Sequence, residues 1–187
     1  MTWDFRNKMI RYQSGEVDVR YRYDGDGTRV AKHNMTTGES ITYLFNHNLA
    51  LPQLILEQDS NGNATAAYTR DSFGALIAQT RDPECPNPIT FCYAFNALGT
   101  TGSLTNASGA VTDAYVMDAW GNEEQSQGNT VNLFRYVGKV GYYDDQDPRF
   151  MLLGARWYDP SARRIPISRS YHGGKPGIYE PEGIRVC

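Results

Sequence analysis

The chain has 187 residues, of which 40% are hydrophobic and 12% aromatic, and this content excludes general disorder. Its formal net charge is -3 without long runs of one sign, so it lacks the electrostatic footprint of a nucleic-acid or anionic-membrane binder. No stretch approaches the roughly 20 apolar residues of a spanning helix, and the polar start lacks the apolar part of a signal peptide. We therefore expect no nucleic-acid partner, no membrane span and no signal peptide in this chain.

An aromatic residue followed three positions later by Asp or Asn recurs along the sequence. The pairs are Tyr21/Asp24, Tyr43/Asn46, Tyr68/Asp71, Tyr93/Asn96 and Tyr115/Asp118. Consecutive tyrosines of these pairs are 22, 25, 25 and 22 residues apart. In four units a glycine follows three positions after the acid or amide, and these glycines are Gly27, Gly74, Gly99 and Gly121. A period of this length indicates a repeated supersecondary unit.

The repeated unit has the chemistry of a β-hairpin. Tyr, Val, Thr and Phe suit a pleated, half-buried strand, and Asp, Asn and Gly suit the turn that follows. In the clearest unit, residues 17–23 alternate apolar and polar side chains before a turn that begins at Asp24. The pattern predicts about ten to twelve short antiparallel strands, with loops at 82–88 and 144–149.

Successive hairpins are expected to pair edge to edge, because a single hairpin is only marginally stable in water. They would form one sheet with a shared apolar face. A sheet of this size would leave its two edges and one aromatic-rich face exposed, which suits a piece of a larger assembly. Self-association through the open edges is a further expectation.

These units resemble the YD repeat of RHS proteins, which reads roughly Tyr-x-Tyr-Asp-x-x-Gly-Arg followed by a polar strand. The match is good over YRYDGDGTRV and fair over YTRDSFGALIAQT and YVMDAWGNEEQS. Further along, FRYVGKVGYYDDQDPRFMLLGARWYDPSARR is similar to the RHS-associated core. The residues that match the repeat and the end of the core are Tyr21, Asp24, Gly27, Tyr68, Asp71, Gly74, Tyr115, Asp118, Gly121, Arg156, Tyr158, Asp159 and Pro160.

The resemblance implies an all-β fold in which tandem antiparallel hairpins form a curved, continuous sheet, part of a cocoon-like shell. Four parts are expected, namely an N-terminal flank (1–14), YD-repeat hairpins (15–92), a core-like segment (93–165) and a short variable tail (166–187). The implied partners are an enclosed effector domain or further YD repeats of a longer chain. Secretion or attachment to the cell surface is implied if the chain is part of a longer exported protein.

In RHS proteins the end of the core often acts as an aspartyl autoprotease that frees the enclosed tip. The family usually continues after Asp159-Pro160 with Gly-Arg-Phe and an Asp-Pro pair, whereas this chain has Arg163 at the glycine position and no aspartate at 167–170. Only about 20 residues follow the core, far short of an enzymatic domain. We therefore expect a truncated shell segment without a toxin tip and without enzymatic activity.

Four aspartates near the end of the core are candidates for aspartyl chemistry, which needs two carboxyl groups close enough to share a proton. They are Asp144, Asp145, Asp147 and Asp159, with Arg156 nearby. The simpler interpretation is a solvated acidic loop followed by a strand-ending Asp-Pro turn. We favour it because the partner motif is missing, which leaves Asp159 as a weak catalytic candidate.

A row of aromatic residues offers a function of another class, the stacking of sugar rings by a carbohydrate-binding module. The row consists of Tyr21, Tyr23, Tyr68, Tyr93, Tyr115, Tyr136, Trp157 and Tyr158. Cross-strand packing explains the same residues more economically. At the end of the shell we expect a packed cluster of Trp120, Phe134, Tyr136, Trp157 and Tyr158.

No metal or cofactor is expected. The three histidines are far apart and lack Cys or Asp partners at ligand spacing; they are His33, His47 and His172. Cys85 and Cys92 could form a disulfide across a turn, but free thiols are the simpler interpretation, with Cys187 left over.

Overall fold

The computed structural model describes residues 1–49, 51–154 and 156–166. From residue 167 onward the predicted variable tail, with His172 and Cys187, lies outside the described residues. Within the described part the regular structure consists of β-strands and one 3₁₀ turn at Gly138–Val140. The predicted all-β fold is confirmed.

Twelve antiparallel strands follow one another in chain order and form one open sheet. They are β1 (Thr2–Trp3), β2 (Met9–Ser14), β3 (Val17–Tyr23), β4 (Arg29–Asn34), β5 (Ser40–Asn46), β6 (Gln53–Gln58), β7 (Ala64–Arg70), β8 (Leu76–Arg81), β9 (Ile89–Phe95), β10 (Thr101–Thr105), β11 (Val111–Met117) and β12 (Glu123–Gln127). The tandem hairpins thus form the predicted continuous, curved sheet. It includes β1 and β2 from the segment predicted as a flank, and it runs unbroken through the predicted division after residue 92.

In four of the five repeats the Asp or Asn begins a tight turn at one rim of the sheet; Asn46 instead precedes a longer connection between β5 and β6. At Asp24, Oδ1 accepts a hydrogen bond from the backbone N–H of Thr28 at 2.8 Å, and the backbone N–H of Gly27 donates to the Asp24 carbonyl oxygen at 3.2 Å. Gly27 has a φ of 82°, a left-handed conformation that costs glycine little. The same bonding pattern recurs in the turns that begin at Asp71, Asn96 and Asp118.

The repeat tyrosines all lie on one face of the sheet, on alternate strands from β3 to β11. Side chains alternate between the two faces along a strand, so a unit of two strands returns its tyrosine to the same face. Four of these tyrosines are buried and Tyr93 is partly buried; the buried ones are Tyr21, Tyr43, Tyr68 and Tyr115. We call this side of the sheet the covered face.

The covered face packs against the C-terminal part of the same chain. Residues 131–154 and strand β15 (Arg156–Tyr158) form this covering layer, which contains a second, three-stranded antiparallel sheet. The expectation that one aromatic-rich face would be exposed is therefore wrong. The covering layer buries the repeat tyrosines because the transfer of aromatic side chains out of water stabilises the folded chain.

The covering layer also corrects the predicted loop at 144–149. The second sheet consists of β13 (Tyr143–Asp145), β14 (Phe150–Leu153) and β15, in that order. Asp144 and Asp145 pair with Met151 and Phe150 across the β13–β14 ladder, so the connection is limited to 146–149. The acidic pair therefore belongs to a strand.

The last strand of the large sheet, β12, has the sequence EEQSQ, and all five of its residues are exposed. Charged side chains on an edge strand discourage pairing with another sheet, because a new neighbour would bring the charges out of water. The β12 edge is therefore poorly suited to accept a further strand.

Candidate functional site: the covered face of the sheet

Aromatic side chains supply much of the contact between the sheet and the covering layer. Phe134 meets Tyr68 edge to face, with ring centroids 4.9 Å apart, and meets Tyr143 at 5.6 Å. Trp157 lies 4.9 Å from Tyr21. Each such pair adds about 0.5 to 1.5 kcal/mol beyond the burial of its surface. The repeat tyrosines are thus the residues onto which the covering layer packs.

Arg29 places a buried cation at the centre of this aromatic contact. Its guanidinium carbon lies over four rings, at 4.5 Å from the centroid of Tyr43, 4.6 Å from Tyr143, 5.4 Å from Trp157 and 5.6 Å from Tyr21. Attraction between a cation and a ring face is strongest when water is absent, and Arg29 is only 2% exposed. Two rings come from the sheet and two from the covering layer, so the cation joins both.

Asp145 supplies the anion that Arg29 needs. Its Oδ2 lies 2.6 Å from Nη1 of Arg29, and its Oδ1 lies 2.5 Å from Nζ of Lys32. Lys32 also contacts Asp147, at 2.7 Å. Asp145 is 0% exposed, so the prediction of a solvated acidic loop is wrong at this residue. A carboxylate can be buried here because two cations of β4 neutralise it.

Hydrogen bonds fasten the segment before β13 to the sheet. The side-chain amide of Gln79 donates to the Val131 carbonyl oxygen at 3.2 Å, and the hydroxyl of Thr101 donates to the Phe134 carbonyl oxygen at 2.6 Å. Residues 131–134 do not belong to a strand, so their carbonyl groups lack the hydrogen bonds that a neighbouring strand would donate. Side chains of the sheet provide them.

A cleft of about 380 Å³ lies between the sheet and the covering layer. We call it the carboxyl cleft; its lining includes Lys32, Glu57, Arg81, Tyr143, Asp144 and Asp147. Burial raises the pKa of Asp144 to about 6. It also raises the pKa of Glu57, whose Oε1 accepts a hydrogen bond from the Tyr68 hydroxyl at 3.0 Å. The cleft therefore contains two carboxyl groups with an increased tendency to hold a proton.

This arrangement of a hairpin sheet covered by its own C-terminal part can be compared with known protein families. A family model described as Teneurin YD-shell matches residues 3–164. The chain belongs to the teneurin YD-shell family. The match extends from β1 through the covering layer, so both parts belong to the YD shell, and the resemblance to YD-repeat proteins is confirmed.

Bacterial relatives of this YD-shell chain include the tRNA3(Ser)-specific nuclease WapA of Bacillus spizizenii and the tRNA nuclease WapA of Bacillus subtilis strain 168. Each is 28% identical to it over 165 residues, which is 85% of this chain and 7% of the relative. The chain therefore spans less than a tenth of the length of these curated relatives.

Solved structures with a similar fold include TcdB2-TccC3-TEV, with a TM-score of 0.61, and TcdB2-TccC3-Cdc42, with a TM-score of 0.60. Both are 18% identical to this chain and match 88% of it and 8% of their own chain. The Tc holotoxin pore of Photorhabdus luminescens gives a TM-score of 0.56 at 18% identity, over 85% of this chain and 8% of that one. At this identity the likeness establishes the fold.

Residues 156–160, which match the end of the core, comprise β15 and the start of the turn that follows it. The Asp159 carboxylate accepts hydrogen bonds from Ser161 Oγ at 2.6 Å and from the backbone N–H of Ala162 at 3.0 Å, so it caps its own turn. Pro160 is buried, and Arg156 is exposed. Among the described residues, no hydrogen bond or ion pair joins Asp159 to Asp144, Asp145 or Asp147.

The proposed row of aromatic residues is occupied by contacts within the YD shell. Tyr93 donates its hydroxyl proton to Asn132 Oδ1 at 3.1 Å, Tyr136 donates to the Ala119 carbonyl oxygen at 2.9 Å, and Tyr158 donates to the Trp120 carbonyl oxygen at 2.9 Å. The remaining members are buried except Tyr23, which is partly buried; they are Tyr21, Tyr68, Tyr115 and Trp157. These rings pack against protein, which favours the cross-strand interpretation. Of the predicted end cluster, Phe134 and Trp157 are buried and Trp120 is exposed.

Gly121 and Gly109 form a matched pair for testing whether the YD-shell turns support the covering layer. Both have positive φ, 91° and 81°, so alanine costs about 1 to 2 kcal/mol of backbone strain at either site. A Cβ at Gly121 would lie 2.8 Å from the ring of Tyr136, whereas one at Gly109 would meet no atom within 4 Å. We expect Gly121→Ala to lower the free energy of unfolding by about 1 to 3 kcal/mol more than Gly109→Ala, measured with urea. Equal losses would contradict the packing of Tyr136 on this turn.

The residues that sequence reasoning missed are the polar groups on the covered face, Arg29, Lys32 and Glu57. The only signal lay in strand alternation. Glu57 interrupts the apolar stretch of β6. The bulge between Arg22 and Tyr23 of the neighbouring strand shifts the alternation of side chains along β4, and only with this shift is Arg29 placed among the buried side chains.

Cys85 and Cys92 are both free and exposed. Among the described residues, no group of three or more His, Cys, Asp or Glu side chains could hold a metal ion. No helix in the described part of the chain is long and apolar enough to cross a membrane.

Proposed function

We propose that this chain is a segment of the wall of a hollow shell, in a longer RHS toxin-type protein that encloses a C-terminal effector. The observation that carries the proposal is the continuous hairpin sheet whose tyrosine face is sealed by the covering layer. A shell wall must keep its fold while it surrounds its contents, and the buried aromatic and charged contacts between the sheet and the covering layer stabilise this fold.

The names of the relatives and of the similar structures support this role. The WapA proteins are named as tRNA nucleases, and this chain matches only 7% of their length, which leaves room for a separate catalytic part. The similar TccC3 structures belong to complexes with TcdB2, and one is a Tc holotoxin pore. By analogy, we infer that this chain belongs to an exported or cell-surface protein whose toxic activity resides outside residues 3–164.

We also infer that the chain contributes structure and no catalysis. The Asp159 carboxylate is engaged in its own turn, which supports a structural role for Tyr158, Asp159 and Pro160. The alternative, aspartyl autocleavage that releases a C-terminal tip, requires Asp159 to act on a bond further along the chain.

The test uses the natural full-length gene product that contains this chain. We expect electron microscopy to reveal a hollow particle, and we expect its C-terminal part to resist protease until the shell is denatured. A C-terminal part that is cleaved as fast in the native particle as after denaturation would refute enclosure. Incubation without protease should give no self-cleavage product; a product that disappears in Asp159→Asn, but persists in the exposed control Asp71→Asn, would establish the autoprotease instead.

A further inference from the structure

Two carboxyl groups face the carboxyl cleft from opposite sides. Glu57 lies on β6 of the sheet and is 2% exposed, and Asp144 lies on β13 of the covering layer. Lys32, which also lines the cleft, is already held by the carboxylates of Asp145 and Asp147. Of the two cations that line the cleft, Lys32 therefore has carboxylate partners of its own, and Arg81 faces Glu57.

The surroundings of Asp144 combine charges of both signs. Arg135 in the covering layer and Lys32 on β4 favour its ionised form, while neighbouring Asp145 and Glu123 on β12 disfavour it. Arg135 also forms an ion pair with Glu123. Both cations that face Asp144 thus have carboxylate partners of their own, and burial has the largest effect on this carboxyl group.

The surroundings of Glu57 are similarly balanced. Arg81 on β8 and Arg29 on β4 favour its ionised form, as do the hydroxyl groups of Tyr68 on β7 and Tyr143 on β13. Arg29 is committed to Asp145. Burial outweighs these partners, so Glu57 also gains from holding a proton while the covering layer is in place.

We propose that pH controls the attachment of the covering layer to the sheet: the layer is held most tightly in mild acid and opens more readily near neutral pH, as Asp144 and Glu57 lose their protons. Opening the layer would admit water to the cleft and allow both carboxyl groups to ionise without penalty. Closure and proton binding therefore favour each other.

The direction follows from the pKa of Asp144, which burial raises from an ordinary 3.8 to about 6 in the closed state. Proton binding by Asp144 stabilises the closed state fully at pH values below 3.8, and that stabilisation is lost as the pH rises through about 6. Other carboxylates of the described chain have lowered pKa values and act in the opposite sense. They change the stability only at pH values below about 4. They are Asp4, Asp18, Asp59, Asp113 and Asp118.

Hydrogen exchange of the β13–β14 amides, followed by mass spectrometry and corrected for the intrinsic pH dependence of exchange, tests the proposal. With a closed-state pKa of about 6, Asp144 alone should raise the opening constant roughly tenfold between about pH 5 and about pH 8, and Glu57 should add to that rise. In Asp144→Asn the rise should shrink to the part contributed by Glu57 and other groups, and Glu57→Gln combined with it should remove most of that remainder.

The matched control is Glu124→Gln, an exposed change on β12 that removes one negative charge away from the cleft. It should keep the full rise, which separates a local effect from a change in net charge. Equal protection at both pH values in the unmodified chain would overturn the proposal. So would an undiminished rise in the double variant, because the pH dependence would then arise from groups other than these two carboxyl groups.

Discussion

Replacing Asp145 by alanine is expected to lower the free energy of unfolding by about 3 to 5 kcal/mol, because Arg29 would remain buried without its anion. Arg29 is 2% exposed and sits among four aromatic rings, so it cannot reach water while the covering layer is closed. Urea unfolding followed by circular dichroism measures the loss. A decrease below about 1 kcal/mol would contradict the central position of this ion pair.

The control is Asp147→Ala. Asp147 also contacts Lys32, but its side chain is 28% exposed, so water can replace the lost interaction and the cost should be about 1 kcal/mol or less. The double change Arg29→Met with Asp145→Leu should recover most of the stability lost in Asp145→Ala, because a buried ion pair can be replaced by apolar side chains at little net cost. A double variant as unstable as Asp145→Ala would mean that the pair itself contributes the stability.

Replacing Phe134 by alanine is expected to cost about 3 to 5 kcal/mol, the usual loss when a buried aromatic ring leaves a cavity. Phe134 is 1% exposed and touches Tyr68 on the sheet, Tyr143 in the covering layer and the guanidinium of Arg70. Its removal should therefore loosen the whole layer. Calorimetry or urea unfolding provides the measurement.

Phe73 offers the matched control, since it is the same residue type at a turn and is 90% exposed. Phe73→Ala should change the free energy of unfolding by no more than about 0.5 kcal/mol. If the two phenylalanine variants lost equal stability, Phe134 would not be part of a packed interface.

The repeated hairpins could be predicted from the sequence because their determinants are local. Tyr68 and Asp71 specify, within a few residues, a strand position and the turn that follows it, and the turn at Asp71 forms by hydrogen bonds to its own backbone. The same local rule, repeated at intervals of 22 or 25 residues, gives the number and order of the strands. These strands and turns can therefore be predicted without knowing which distant residues are in contact.

The covering layer could not be predicted in this way, because its determinants are distant in sequence. Asp145 is 116 residues from Arg29 and 113 from Lys32, and no local pattern links them. Read alone, Arg29 and Asp145 are charged residues near turns, which usually lie in water. Their burial becomes favourable only when β13 packs against β4, so the sequence alone predicts an acidic loop and an exposed tyrosine face.

The most direct test of the account is an NMR measurement of whether the covering layer packs on the repeat tyrosines. We predict nuclear Overhauser effects between the rings of Phe134 and Tyr68, and between Trp157 and Tyr21, whose centroids are 4.9 Å apart in both pairs. Strong cross-strand effects within the hairpins, without any effect between these two pairs of rings, would contradict it.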